Sequence, residues 1–359
     1  MVQFTCRTRI VSGPGALEAL GSFHAARALL VTDGFFSRSG QARRIAALAA
    51  PEFEIFDEVR PDPELTLIAR GAARVRDYAP ELLVALGGGS VLDAAKAMGH
   101  FSGLKCPLAA VPTTSGSGSE VTDFAILTHQ GVKHPLVDPA LAPDLAILDE
   151  TLLRELPRGL IADTGFDVLS HALEALAATG ASPITDALAR EAFLTAYGRL
   201  PASFAGDTAV RGAVHTASTM SALAFNQAGL GICHSLSHAL GGRYHIPHGR
   251  LNAILLPAVL QANAPAAGEK YAALARLGGF GGSGTAMAVR NLKSALTRLR
   301  RQLRLPDSLS AAGVEPRQLR RDMDSLIAAA LADRCSATNP VPADKVLLWQ
   351  VLEEAAGHG

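Results

Sequence analysis

The sequence carries no net charge. Its 33 lysines and arginines are matched by 33 aspartates and glutamates, so no basic field exists to draw nucleic acid or an anionic lipid surface. Paired cysteines are missing as well. The four present, Cys6, Cys106, Cys233 and Cys335, lie far apart and form no Cys-x-x-Cys unit. Free thiols in a reducing compartment are therefore expected. The opening stretch lacks the apolar core of a secretory signal, and no run reaches the roughly 18 uncharged apolar residues of a membrane span. Internal repeats and low-complexity tracts are also lacking. These absences lead us to expect a cytoplasmic protein without a nucleic-acid or membrane partner.

What is present is ample material for two cores. The chain has 359 residues, 48% of them hydrophobic, and at roughly 100–200 residues per domain two domains are expected. Short apolar runs at 28–31, 53–59, 82–86, 108–111 and 145–148 read as strands. Residues 64–78 and 90–101 between them read as helices. Strand alternating with helix predicts a parallel, Rossmann-like α/β sheet over residues 1–157. Beyond Pro157, alanine and leucine dominate and the period becomes helical, so residues 158–359 are expected to form an all-α domain.

Two loops in the first half suit phosphate. Gly87, Gly88, Gly89 and Ser90 end a strand and open a helix, where bare backbone can approach an anion and unpaired amides face it. Asp93 and Lys96 follow on that helix. The stretch Pro112-Thr113-Thr114-Ser115-Gly116-Ser117-Gly118-Ser119-Glu120 also follows a strand and carries five hydroxyl side chains. The two loops are expected to converge at the sheet edge where α/β folds bind ligands. Asp33, after the strand ending at Val31, would accept from an adenosine ribose and repel a 2′-phosphate, favouring NAD over NADP. Each feature also has a plainer reading, as a glycine turn or a turn aspartate. Gly279-Phe280-Gly281-Gly282-Ser283-Gly284 matches Gly-x-Gly-x-x-Gly literally, but it follows a helical pattern and is read as a loop.

In the second half the histidines carry the signal. Asp167 and His171 are four apart, as are His234 and His238, so each pair shares a helix face; His248 follows in Ile246-Pro247-His248-Gly249. Such groups in apolar segments would be costly to bury without a partner. One carboxylate with several imidazoles suits Fe2+, Zn2+ or a related ion, and the residue types do not choose among them. His215 and His245 read as structural or supporting.

Taken together, Gly-Gly-Gly-Ser-x-x-Asp-x-x-Lys over Gly87–Lys96, Pro-Thr-Thr-Ser-Gly-Ser-Gly-Ser-Glu-Val-Thr over Pro112–Thr122 and the ordered Asp, His, His, His set resemble the iron-containing (group III) alcohol dehydrogenases. Arg7–Ile10 and Phe225–His238 look most like the ethanol and 1-propanol dehydrogenases of ethanolamine and propanediol utilisation. The resemblance implies metal ligands at Asp167, His171, His234 and His248, a non-ligand active-site histidine at His238, a pocket phenylalanine at Phe225 and a cofactor-side lysine at Lys133. It implies two domains with the active site in the cleft between them, bound iron and NAD, and a small alcohol or aldehyde substrate. A homodimer and an association with a bacterial microcompartment are further expectations. A zinc-dependent polyol dehydrogenase of the glycerol type is the alternative on the same fold. Ser117 departs from the family's usual threonine, and the last third of the chain is short.

Overall fold

Strand alternates with helix from Arg9 to Leu148: β1 (Arg9–Ser12), β2 (Arg27–Asp33), α1 (Gly34–Arg38), α2 (Gln41–Ala49), β3 (Glu52–Val59), α3 (Leu65–Tyr78), β4 (Leu82–Gly87), α4 (Gly89–Ser102), β5 (Leu108–Pro112), β6 (Phe124–His129), β7 (Val132–Val137) and β8 (Leu145–Leu148). This is a computed structural model, and it describes residues 3–129 and 132–357. The chain divides into two compact units, one of Thr5–Leu156 and one made mainly of Pro157–Gly359.

The first unit is built on a six-stranded sheet in the order β1-β8-β5-β4-β2-β3, parallel at every pairing. β4 is buried along its whole length, as its unbroken Leu-Leu-Val-Ala-Leu run requires of a strand covered on both faces. Side chains alternate between two cores. Leu29, Val31, Leu83 and Ala85 pack with Ile68 and Val75 of α3 and with Leu92 and Met98 of α4. Leu30, Val84, Leu86 and Ile147 pack on the other face with Ala42, Ile45 and Ala46 of α2. The chain runs outward from β2 to β3 and, in the other direction, from β4 to β5. The order therefore turns between β2 and β4, the place where open parallel sheets bind ligands. Thr32 Oγ1 donates to Leu86 O at 2.7 Å, tying these two strand ends together.

β1 and the antiparallel β6–β7 hairpin go beyond the strands read from the sequence. β1 is a mostly exposed edge strand and so carries no buried apolar run. The hairpin is pinned from α4: Asp93 Oδ2 accepts from Ile126 N at 3.0 Å. Lys96 Nζ donates to Thr122 O at 2.9 Å, Thr122 Oγ1 at 3.0 Å and Phe124 O at 2.9 Å.

The second unit is helical: α5 (Arg158–Ala177), α6 (Pro183–Ala205), α7 (Arg211–Ala228), α8 (Ile232–Tyr244), α9 (His248–Leu277), α10 (Thr285–Gln302), α11 (Pro316–Ala332) and α12 (Lys345–Ala356). The Gly279–Gly284 stretch connects α9 to α10. With a helix rather than a strand before it, it lacks the context a dinucleotide loop needs. α5 is enclosed by α6, α7 and α9, and nearly all of its residues from Ile161 onward are buried. A helix apolar on all sides belongs at the centre of a bundle. α5 has one polar stripe, Asp163, Asp167, His171 and Glu174, whose spacing of 4, 4 and 3 places the four on one face.

Candidate active site

In the first unit the two glycine- and hydroxyl-rich loops meet. Thr113 N donates to Gly87 O at 3.0 Å, continuing the β4–β5 ladder past Pro112. A Cβ on Gly89 would lie 2.8 Å from the Ser117 side chain, and one on Gly88 3.4 Å from Thr114 Oγ1. Glycine at 89 is therefore required by the approach of the second loop. No side chain caps the start of α4, so its first turn keeps amides without a side-chain acceptor. Gly87, Gly88, Gly89, Ser90, Thr113, Thr114 and Ser117 thus form one cluster beyond the ends of β4 and β5.

The other residues expected at the cofactor have protein partners of their own. Asp33 ends β2 and caps α1, with Oδ1 accepting from Phe35 N at 2.8 Å and Phe36 N at 3.2 Å; both bonds use the same oxygen. Asp93 is buried against the hairpin, and its desolvation raises its pKa despite the charge of Lys96. Burial likewise brings Lys96 down to about 8, with Asp93, Glu120 and Asp123 pulling the other way. Lys133 Nζ pairs with Asp62 Oδ1 at 2.7 Å.

In the second unit, α5, α8 and the first turn of α9 bring the Asp/His set together. Asp167 Oδ1 lies 3.9 Å from His171 Nε2, 3.7 Å from His234 Nε2 and 3.5 Å from His248 Nε2. These separations exceed hydrogen-bond length. For Asp167, His234 and His248, whose ligand atoms all lie within 4.8 Å of one another, they are close to the donor–donor spacing of about 3.4 Å that follows from four ligands at roughly 2.0–2.1 Å around a tetrahedral ion, and His171 adjoins this trio through Asp167. Donor chemistry and spacing both fit a divalent transition metal. Gly249 permits the approach of α9, since a Cβ there would fall 1.9 Å from Asp163 O. Phe225 closes one side, its ring 4.3 Å from that of His171.

The electrostatics are those of a site prepared for a cation. Burial would raise the Asp167 pKa, but the surrounding imidazoles hold it well below the usual carboxylate range. Burial would lower His234, yet hydrogen bonds and charge from Asp167 and Glu174 push it up to about 9. His248 falls well below the histidine range through burial, with Asp167 pulling it up and the charges of His238, His234 and His171 adding to the fall.

His238 lies one turn along α8 from His234, its ring stacked on His248 at 5.1 Å. Its Nδ1 is 2.7 Å from Asp333 Oδ2. Asp333 Oδ1 accepts from Cys335 N at 2.8 Å, which fixes the carboxylate. Three residues beyond those read from the sequence belong to the site: Asp333, Glu174, whose Oε2 is 2.5 Å from His234 Nδ1, and Asn252. Asn252 Nδ2 donates to Asp167 Oδ1 at 2.7 Å, and its Oδ1 accepts from Ser237 Oγ. Glu174 and Asn252 had a visible signal, being polar groups three and four residues from His171 and His248 on buried helices. Asp333 had none, standing 95 residues from its partner in the chain.

A parallel sheet with an anion-suited loop pair, followed by a helical bundle that gathers an aspartate and histidines able to hold a metal, is the arrangement of a metal-dependent dehydrogenase. The chain belongs to the iron-containing alcohol dehydrogenase family, matching its description "Iron-containing alcohol dehydrogenase" over residues 7–150 and "Fe-containing alcohol dehydrogenase family, C-terminal" over residues 161–356. It is 40% identical to the 1-propanol dehydrogenase PduQ of Citrobacter freundii, over 99% of this chain and 100% of that one. It is 34% identical to an NADPH-dependent butanol dehydrogenase of Clostridium saccharobutylicum, over 98% and 97% of the two chains. Among solved structures it resembles the iron-containing alcohol dehydrogenase of Thermococcus thioreducens, with TM-score 0.91, 33% identity and coverage of 98% and 99%. The chain is an oxidoreductase of the alcohol dehydrogenase class.

A site of this kind binds its ion at a measurable gain in stability. Adding Co2+ or Zn2+ to metal-free protein at 100 times its Kd should stabilise the fold by about 2.7 kcal/mol. His248→Ala should keep the metal-free melting temperature within a few degrees and abolish the metal-dependent rise. Differential scanning calorimetry of both proteins checks this, and an undiminished rise in the variant would remove His248 from the ligand set.

Proposed function

We propose that the protein interconverts short-chain primary alcohols and aldehydes with NAD(H), using a divalent iron held by Asp167, His171, His234 and His248. The observation that carries this reading is that Asp167, His234 and His248 bring their ligand atoms within 4.8 Å of one another, with His171 Nε2 3.9 Å from Asp167 Oδ1 beside them. When bound there, the ion supplies Lewis acidity toward a substrate oxygen, and the nicotinamide supplies the hydride chemistry.

The remaining roles fall to this chain's side chains. Asp167 contributes the negative charge that favours a cation in a buried site, and the three imidazoles contribute neutral donors. Phe225, packed on His171, bounds the apolar side where a short alkyl chain fits. His238 exchanges the proton that alcohol oxidation releases. Because Asp333 accepts at Nδ1, Nε2 is left as the atom that takes and returns it. The His238 side chain is 28% exposed, open enough to pass the proton to water, whereas His234 is 2% exposed. The Gly87–Ser90 and Thr113–Ser117 loops hold the cofactor pyrophosphate, and Asp93 and Lys133 serve on the cofactor side. Asp33 Oδ2, not used in capping α1, accepts from the ribose hydroxyls and disfavours a 2′-phosphate. That sets this chain apart from its NADPH-dependent butanol relative. The propanol and butanol relatives favour a monoalcohol substrate over the polyol alternative. Among the described residues no helix is long and apolar enough to cross a membrane. A cytoplasmic homodimer acting beside a bacterial microcompartment completes the reading, as the resemblance to the dehydrogenases of ethanolamine and propanediol utilisation implies.

Steady-state assays on anaerobically iron-loaded protein test it. Propionaldehyde and acetaldehyde should be reduced faster with NADH than with NADPH, and Asp33→Gly should narrow that gap. Inactivity on every C2–C4 aldehyde and primary alcohol would defeat the proposal. His238→Ala should keep its metal and lose about 10²–10⁴-fold in kcat, the typical share of a general acid–base group. Loss of metal together with activity would instead make His238 a ligand.

A further inference from the structure

α8 begins without a local cap. Its N-cap is Gly231, which offers no side chain, yet its first turn is fully buried, where unpaired amides are costly. The missing acceptors come from elsewhere in the chain. Asn339 Oδ1 takes Ile232 N at 3.2 Å. Glu174 takes the next two amides, Cys233 N to Oε1 at 2.7 Å and His234 N to Oε2 at 3.3 Å. A carboxylate at this end of a helix also meets the positive end of its dipole. Glu174 sits on the polar stripe of α5, one turn beyond His171, and is 3% exposed. Helix position and ligand position are therefore set by one side chain.

The same carboxylate reaches the His234 ring. Glu174 Oε2 lies 2.5 Å from Nδ1, while Nε2 on the far side of the ring faces Asp167. A carboxylate only accepts, so the Nδ1 it touches carries a hydrogen. In the neutral ring the lone pair then belongs to Nε2, the atom pointing into the donor set. We propose that Glu174 is a positioning residue that docks the start of α8 and holds His234 in the one tautomer able to ligate a metal through Nε2. The inference rests on the reading of Asp167, His171, His234 and His248 as the metal site, and it assigns Glu174 no contact with the ion.

Glu174→Gln isolates the effect. The glutamine fills the same space and keeps one acceptor oxygen, but the other becomes an amide nitrogen. Facing Nδ1, that nitrogen donates and drives the ring hydrogen to Nε2; rotated the other way, it opposes Cys233 N. Outer partners of ligating histidines typically change affinity by about 10–100-fold. Titration of metal-free protein with Co2+, read by visible absorption and chelator competition, should show affinity lowered by about that factor. Circular dichroism should show the variant still folded. If wild type binds Co2+ and Glu174→Gln binds it equally well, the Glu174 assignment is wrong while the metal site stands. If wild type takes up no Co2+, the metal reading itself fails and the assignment with it. Should the variant not fold, Zn2+-loaded wild type decides by nitrogen-15 histidine spectra. His234 must then carry its proton on Nδ1, and a proton on Nε2 overturns the proposal.

Discussion

A helix buried on all sides cannot carry polar groups unless something answers each of them, and this constraint organises the second unit. α5 presents Asp163, Asp167, His171 and Glu174 along one face of an otherwise apolar helix. Asp163 is answered by Arg250, whose Nε and Nη2 donate to its two oxygens at 3.1 and 3.0 Å. Glu174 is answered by the start of α8. Between them, Asp167 and His171 face His234 and His248. The two outer pairs bring α9 and α8 onto α5, and that docking draws Asp167, His234 and His248 together with His171 alongside. Leaving such groups buried and unanswered would cost about 1–3 kcal/mol each, so the packing that stabilises the bundle also assembles the site.

The consequence for chemistry is a division of labour between two neighbouring histidines on α8. His234 is enclosed and held between two carboxylates, which suits a ligand. His238, one turn on, is partly open and held at Nδ1 by a third carboxylate, Asp333, which suits a proton carrier. Both have a carboxylate on Nδ1 and differ in what faces Nε2 and in how much water reaches them. In the first unit Asp93 and Lys96 pin the hairpin to α4, beside the Gly87–Ser90 and Thr113–Ser117 loops at the ends of β4 and β5.

Much of this was legible in the sequence, where short-range rules apply. The apolar runs of β2, β3, β4, β5 and β8 and the alternation with helices gave the parallel sheet. The four-residue spacings of Asp167 with His171 and of His234 with His238 gave the helix faces of the site. What escaped depends on contacts made at a distance. β1 is an edge strand without a buried run, and β6 and β7 are recognisable mainly through their bonds to Asp93 and Lys96. Asp333 is chosen as a partner by the fold alone. Asn252 and Glu174 were visible as polar residues near ligands, but their orientation, which makes one a donor to Asp167 and the other an acceptor from His234, exists only in three dimensions.

The central claim is that four donors from α5, α8 and α9 hold one ion while His238 stands aside. A crystal of the iron-loaded protein, with anomalous scattering collected at the iron edge, tests it most directly. The account predicts a single peak per chain, bonded to Asp167 and to Nε2 of His171, His234 and His248, with His238 still on Asp333. A peak bonded to His238, or one lying away from Asp167, would contradict it.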